Sequence, residues 1–470
     1  MGNQQNFNFF LKEEKGNPES LNSQQYIANP KKNRLNILII GSGGRAHAFS
    51  WKISESKLCS KLFIAPGNAG TSQYGTNVSI SISDFTAIRD LCVNEQIEIV
   101  FIGPEDPLVN GITDFLLEEP KLKDLNIIGP SKEGARLEGS KAFAKSFMNR
   151  HNIPTAAYRE FDKNNYEEGI HYIRQQALPV VLKADGLAAG KGVLICSNYI
   201  EAMAEFELMI QDAKFGEAGR TVVVEEFLKG IELSVFILTD GNNYLLLPEA
   251  KDYKRAGEND TGLNTGGMGA VSPVPFAHES FMEKVKSKII EPTLNGLKLE
   301  NISYRGFIFF GLIKVEDEPM VIEYNCRMGD PESEVILLRL KNDIVELFQA
   351  LPRKRLHEEK VIIDPRCAAT IVAVSGGYPG NFLTGKPIDF GYLENPESIK
   401  TINADGGVMV FQMGTIQVGD ETFTSGGRVL AVTALADTIG EAVGLAKETL
   451  GQIYFEEMYY RSDIGFEFYD

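Results

Sequence analysis

Cysteine pairs, histidine clusters and long apolar runs are all missing from this chain of 470 residues. Its five cysteines, Cys59, Cys92, Cys196, Cys326 and Cys367, stand far apart with no C-x-x-C spacing, which argues against a disulfide framework and against a zinc cluster. The five histidines, at 47, 151, 171, 278 and 357, make no metal motif either. No apolar stretch approaches the roughly 20 residues of a membrane span, and the N-terminus lacks the basic-then-apolar order of a secretory signal. A reducing cytoplasm is the expected location, with no membrane partner. Positive charge is also short: 47 basic against 64 acidic residues give a net charge of −17, so no nucleic-acid partner is expected. A local phosphate site is still allowed, because screening over about 8 Å lets a cluster of Lys, Arg and backbone N–H groups outweigh distant carboxylates.

What is present is the composition of a folded, enzyme-sized protein: 43% hydrophobic, 24% charged, punctuated by 45 Gly and 20 Pro. That length divides into roughly three domains. Residues 1–34 read as a polar N-terminal extension, expected to be mobile and without chemistry. Over residues 35–137 the apolar strands "LNILII", "KLFIAPG", "IEIVFIGPE" and "LNIIGPS" alternate with helical segments, the pattern of βα units in an open parallel sheet. A second, α+β unit spans 138–350 and opens on the amphipathic helix "EGSKAFAKSFMNRH", with Ser140 as its expected N-cap. Residues 361–470 hold short strands and one Ala-rich helix, a compact β-rich unit.

Five stretches carry chemistry. In "ILIIGSGGRAHAF" a strand runs into G-x-G-x-x-A, a turn whose following helix presents backbone N–H groups to a phosphate. A dinucleotide site needs an acid about 20 residues further on, and the next strand ends "FIAPGNAG" with none. "KADGLAAGKGV" places Lys183 and Lys191 around a glycine turn suited to a polyphosphate; it is not a Walker A loop, because Gly192 follows Lys191. "VVVEEFLKGIELSV" ends a strand in Glu225 and Glu226 on alternate faces, with Glu232 a turn beyond. In "MVIEYNCRMGDPESE" the strand spacing sets Glu323, Asn325 and Arg327 on one face, two oxygen donors for a metal shared with ATP and a cation for a carboxylate or phosphoryl group. Residues 251–275 show no period and read as a functional loop or disorder, with Gly266, Gly267 and Gly269 allowing close approach to a ligand. Taken one at a time, each stretch also fits a solvated loop or strand end.

Together, and in order, "GSGGRAHAFSWK", "GPEDPLVNGITD", "LEGSKAFAKSFMNRHNIPTA", "KADGLAAGKGV", "EEFLKGIELS", "NTGGMGAVSP", "YRGFIFFGL" and "EYNCRMGDPE" resemble the motifs of the glycinamide ribonucleotide synthetases. These are the phosphoribosylamine-glycine ligases of the ATP-grasp superfamily, and the resemblance runs from about residue 35 to the C-terminus. It implies an α/β and α+β multidomain fold: a Rossmann-like N-terminal domain, an ATP-grasp core with a small lid at about 156–224, and a β-rich C-terminal domain. The implied reaction joins glycine to 5-phosphoribosylamine through glycyl phosphate, giving glycinamide ribonucleotide, ADP and phosphate in purine biosynthesis. Magnesium or manganese is the implied metal, and the implied state is a monomer or weak dimer.

The resemblance also distributes roles. Lys141 and Lys183 would contact the ATP phosphates, and Gly186, Ala189, Gly190 and Lys191 would close over them. The backbone of Glu225, Glu226, Phe227 and Leu228 would meet adenine, and Glu232 the ribose. Glu323 and Asn325 would hold the metal; Arg305, Arg327 and Asp330 would serve glycine and its acyl phosphate. Asp252, Lys254, Asn264, Thr265 and Gly266 would line the amine-acceptor site. Gly43, Gly44, Arg45 and His47 would take the sugar phosphate, with Gly103 and Glu105 near the ribose hydroxyls. The chain departs from the family's usual wording at Ser42 and Ala46, at Lys251 and Tyr253, and at Gln412 and Met413, which bears on the acceptor contacts. The competing readings are another ATP-grasp ligase or carboxylase, an NAD-dependent oxidoreductase, and a nucleotide-binding regulator without turnover.

Overall fold

The computed structural model describes residues 34–187, 192–211, 220–394 and 407–469. The extension up to residue 33, and the expected ATP contacts Ala189, Gly190 and Lys191, lie outside the described residues.

Strands β1 (Leu35–Gly41), β2 (Cys59–Pro66), β3 (Thr76–Asn77), β4 (Ile99–Ile102) and β5 (Asn126–Ile128) form a parallel sheet in the order β3-β2-β1-β4-β5. Consecutive residues Ile37 to Ile40 are all buried, as a strand covered on both faces requires. The strand order reverses between β1 and β4, so a crevice opens beyond their C-terminal tips. Gly41 and Gly103 sit at those tips, and helix α1 (Gly44–Ser54) starts there. Gly41 has φ +144°, where L side chains are strained, and a Cβ there would lie 3.3 Å from the Ala46 Cβ.

Antiparallel strands Tyr158–Phe161, Val222–Glu226, Val180–Ala184 and Val193–Cys196 form a second sheet in that spatial order. Helices Tyr166–Gln175 and Tyr199–Ile210 cover it around Phe161 and Phe206. A third antiparallel sheet runs Tyr244–Leu246, Ile231–Thr239, Gly306–Val315, Glu318–Asn325. Its last pair slips between Gly311↔Glu323 and Leu312↔Val321, leaving Ile322 as an extra residue. Such a bulge re-aims the neighbouring side chains. Gly311 makes room for this: a Cβ there would stand 3.0 Å from the Glu323 Cγ.

The fourth large sheet is ordered Lys251–Asp252, Gly269–Ser272, Cys367–Val374, Arg428–Ala436, Val408–Gln412, with helix Ile439–Leu450 packed on it. Its first two strands come from the segment that reads in sequence as loop or disorder, which is therefore corrected. Between them the segment also folds a hairpin, Arg255–Gly257 against Thr261–Asn264. The pairing was invisible because the strands are short and the partner of Val271 is Ala369, far along the chain. Rings of Phe49, Phe101, Phe307 and Phe348 bind the first and third sheets together, Phe49 and Phe101 stacking at 4.0 Å. No described helix is long and apolar enough to cross a membrane.

Candidate active site

Lysines gather first. Lys183, on strand Val180–Ala184, reaches the Glu225 Oε2 at 3.0 Å and donates to the Ile322 carbonyl at 3.2 Å. Lys145, one turn after Lys141 on helix Lys141–Arg150, meets the same Glu225 oxygen at 3.1 Å and donates to the Thr155 Oγ1 at 2.7 Å. Burial pulls the Lys145 ammonium down to about 8 against the attraction of Glu225. Two ammonium groups on one buried carboxylate leave a net positive charge in low dielectric, a strong place for phosphate oxygens. Lys145 was not picked out from sequence, although its i, i+4 spacing from Lys141 was a readable signal. Lys141 donates to the Gly186 carbonyl at 2.9 Å; burial lowers its pKa, and Glu323 pulls it back up. Ser140 caps its helix as expected, accepting from the Phe143 N–H at 3.0 Å, and Asp185 accepts the Ala142 N–H at 3.1 Å.

Glu226 is exposed and accepts the Ala157 N–H at 2.8 Å, with Phe227 half-exposed next to it and Leu228 beyond. Glu232 shares a lysine with the acceptor segment: the Lys254 Nζ lies 2.7 Å from the Glu232 Oε2 and 3.0 Å from the Asp252 Oδ1. Lys254 holds the Glu232 carboxyl below its usual range. Thr265 accepts nothing from Lys254 but donates to it twice, N–H at 2.8 Å and Oγ1 at 2.9 Å, fixing the turn after Asn264. Gly266 donates to the Tyr378 hydroxyl at 3.0 Å.

Glu323 lies within electrostatic reach of both Lys141 and Lys254, and Asn325 is buried two residues on. The strand ends at Asn325, so Arg327 does not continue its face as the alternation suggested. The chain turns because the Cys326 N–H bonds to the Glu138 carboxylate at 2.8 Å. Arg327 is then held by Glu105 at 3.2 Å and Glu138 at 2.7 Å. Burial pushes the Glu105 carboxyl up, but Arg327 and Arg45 outweigh it and bring it to about 2.

At the glycine turn, Gly43 is the N-cap of α1 without a side-chain bond of its own. Asp330 supplies one instead: its Oδ2 accepts the Arg45 N–H at 3.1 Å, and its Oδ1 pairs with the Arg428 Nη1 at 3.1 Å. The Arg45 guanidinium donates to the Met328 carbonyl. Arg428 also donates to the Gly266 and Asp330 carbonyls at 2.8 and 2.7 Å, so one side chain from the last large sheet joins the acceptor turn to the glycine turn. Glu334 is fully buried under Gly44, with neither carboxyl oxygen hydrogen-bonded; a Cβ on Gly44 would fall 2.2 Å from its Oε1. Asn68 ties the turn down, donating to the carbonyls of Ser42 at 2.7 Å and Gln412 at 2.8 Å. His47 is buried between Tyr74 and Phe411, and its Nδ1 accepts the Gln412 N–H at 2.7 Å. Burial lowers it to about 4, so the ring is neutral near pH 7. Gly103 donates to the Ile40 carbonyl at 2.9 Å and closes the crevice floor.

Arg305 stands at the start of a central strand of the third sheet. Arg305 precedes Gly306, which pairs with Thr239, and the charge acting on it is Asp240. Phe309 pairs with Asn325, which sets the start of this strand beside the end of the next, so Arg305 and Arg327 flank the same end of the pair. Arg428, Asn68, Glu138 and Lys145 were missed; the first three act across long sequence separations that a single sequence does not display.

Comparison with known proteins gives three family matches along the chain. The phosphoribosylglycinamide synthetase N domain matches residues 35–138, its ATP-grasp (A) domain 139–333 and its C domain 368–467. A phosphoribosylamine-glycine ligase of Escherichia coli O157:H7 is 43% identical over 435 residues, 92% of this chain and 98% of that protein. One from Vibrio cholerae is 43% identical with the same coverage. The crystal structure of a phosphoribosylamine-glycine ligase from Thermotoga maritima superposes with a TM-score of 0.77 at 33% identity, over 91% of this chain and 100% of that one. The biotin carboxylase domain of Hydrogenobacter thermophilus 2-oxoglutarate carboxylase shares the fold, with a TM-score of 0.68 at 17% identity over 90% of this chain and 91% of that one.

Proposed function

This chain belongs to the phosphoribosylglycinamide synthetase family, as an ATP-dependent phosphoribosylamine-glycine ligase of purine biosynthesis, and we propose how its own residues divide that reaction. The observation that carries the division is one segment, Ile322 to Asp330, which touches Lys183 at its start and Arg45 at its end. It spans the space between the lysine cluster and the glycine turn.

ATP lies at the lysine end. Lys141, Lys183 and Lys145 neutralise its phosphates, the Glu225 to Leu228 backbone meets adenine, and Glu232 the ribose. Glu323 and Asn325 suit a hard divalent ion: both offer oxygen, the bulge aims them, and Gly311 leaves space. Among the described residues no three His, Cys, Asp or Glu side chains gather to hold a metal alone, which fits an ion completed by phosphate oxygens. Magnesium, or manganese, held there would neutralise charge on the transferring phosphoryl group.

Glycine's carboxylate attacks the γ-phosphorus, the bond to the ADP oxygen breaks, and glycyl phosphate forms. Arg327, its plane fixed by Glu105 and Glu138, faces the acyl phosphate. The amine of phosphoribosylamine then attacks the acyl carbon and phosphate leaves, with Asp330 placed to take up the amine's charge. No protein nucleophile is needed; positioning supplies the rate. The sugar phosphate is held by Gly43, Gly44, Arg45 and Arg428, with Glu105 toward the ribose. Asp252, Lys254, Asn264, Thr265 and Gly266 form the acceptor wall. His47 supports this turn from inside. The free cysteines and the pathway support a cytoplasmic location.

The test is ADP release with glycine and freshly generated phosphoribosylamine, omitting each in turn. Release should require both; release with bicarbonate in place of glycine would overturn the reading. Glu323→Ala should lower turnover by about 10²-fold or more with an unchanged melting curve, and near-normal turnover would sink the metal assignment.

A further inference from the structure

Two of the residues at which the chain departs from the family's usual wording, Lys251 and Tyr253, share one partner. Lys251 pairs with Glu467, and the Tyr253 hydroxyl donates to the other oxygen of the same carboxylate at 2.9 Å. The Lys251 ammonium also lies 4.0 Å from the Tyr253 ring centre. Both side chains are buried, on either side of Asp252. A few residues earlier in the tail, Arg461 is completely buried. It grips the hairpin tip through Asp260 at 2.8 Å and the Arg255 carbonyl at 3.2 Å, and its own Asp463 through two bonds of 2.8 Å. Asp463 in turn accepts the Asn259 N–H at 2.6 Å. The Tyr459 hydroxyl donates to the Ala256 carbonyl at 3.0 Å, and Ser462 bonds to Glu258.

The hairpin thus has its tip, its first strand and the segment leading into it tied to the same nine residues. By itself it is a short two-stranded ribbon with only two paired positions, too little to hold a shape in water. Its exposed Leu263 adds no core. Order in the hairpin is supplied from the tail.

We propose that segment 459–467 is the positioning element of the amine-acceptor site, with Arg461 and Glu467 holding Asp252, Lys254 and Asn264 where phosphoribosylamine must enter. This rests on the acceptor reading of those three residues. Neither Arg461 nor Glu467 touches the reacting atoms; both act through the hairpin.

Steady-state ADP release on the full chain tests this with Glu467→Gln, Arg461→Lys, Lys251→Gln, the double variant Glu467→Gln/Lys251→Gln, and Asp252→Asn. Glu467→Gln and Arg461→Lys should raise KM for phosphoribosylamine about fivefold to tenfold, while kcat and the KM values for ATP and glycine stay within about twofold. The double variant should be no worse than the poorer single one, as expected for partners in one pair. If Arg461→Lys fails to fold, Glu467→Gln at the rim carries the test. An unchanged acceptor KM in Glu467→Gln, or an equal rise for all three substrates, would overturn the proposal when Asp252→Asn still raises the acceptor KM. If Asp252→Asn leaves that KM unchanged, the acceptor reading itself has failed.

Discussion

Glu334 and Glu105 are carboxyl groups near the same turn that titrate in opposite directions, because their surroundings differ. Glu105 meets a guanidinium and stays ionised. Glu334 meets no hydrogen-bond donor; burial, and then the neighbouring Asp330, push it well above the usual carboxylate range, while Arg428 and Arg45 only partly oppose this. Folding therefore favours its protonated form, whereas in the unfolded chain it ionises near 4.5. The folded state binds the extra proton, so its stability falls as pH rises from about 4.5 towards the folded value. Glu334→Gln keeps the shape without the proton. Thermal melts from pH 5 to pH 8 should show the variant gaining on the parent as pH rises, by about 2–4 °C per kcal/mol recovered. Parallel curves would show that Glu334 is ionised and paired.

Among the elements, α1 shows how an anion site can be built and yet be engaged by the protein itself. Its first N–H groups face the crevice, but Asp330 takes one of them, and the Arg45 guanidinium is turned to a backbone carbonyl. A sugar phosphate would have to displace that carboxylate from the N–H, which releases the Asp330 Oδ2 for the incoming amine while its Oδ1 stays paired with Arg428. Arg45→Ala should raise KM for phosphoribosylamine about tenfold and spare that for ATP; initial rates with each substrate varied would check it, and equal effects on both would contradict it. Much of this was legible in the sequence, because the signals are local. The apolar run ending at Gly41 predicts a strand and turn, Ser140 predicts a cap, and the missing acid after β2 removes a dinucleotide. What was not legible depends on contacts between distant residues. Arg305 and Arg327 are distant in the chain, and only the antiparallel register puts them at the same end of one strand pair. Arg428 looks like an ordinary strand-start arginine until its strand is seen beside Cys367–Val374.

At the scale of the whole molecule, the last sheet is shared between distant parts of the chain. Gly269–Ser272 is sandwiched between Lys251–Asp252 and Cys367–Val374, so the segment 251–275 joins the large sheet only through residues 367–374. A chain cut after residue 360 should lose the parent's cooperative melting transition and bind a hydrophobic dye, as buried Ala270 and Val271 lose their cover. A parent-like melt would contradict the shared sheet. The nucleotide side is different, since strands 180–184, 193–196 and 222–226 find one another within a short span. During synthesis from the N-terminus, the lysine-bearing sheet can therefore pair early, while the acceptor wall waits for about a hundred further residues to emerge. A ribosome stalled between those points would carry a nascent chain with its nucleotide strands paired and its acceptor strands still unpaired and sticky, the stage at which a chaperone would be needed.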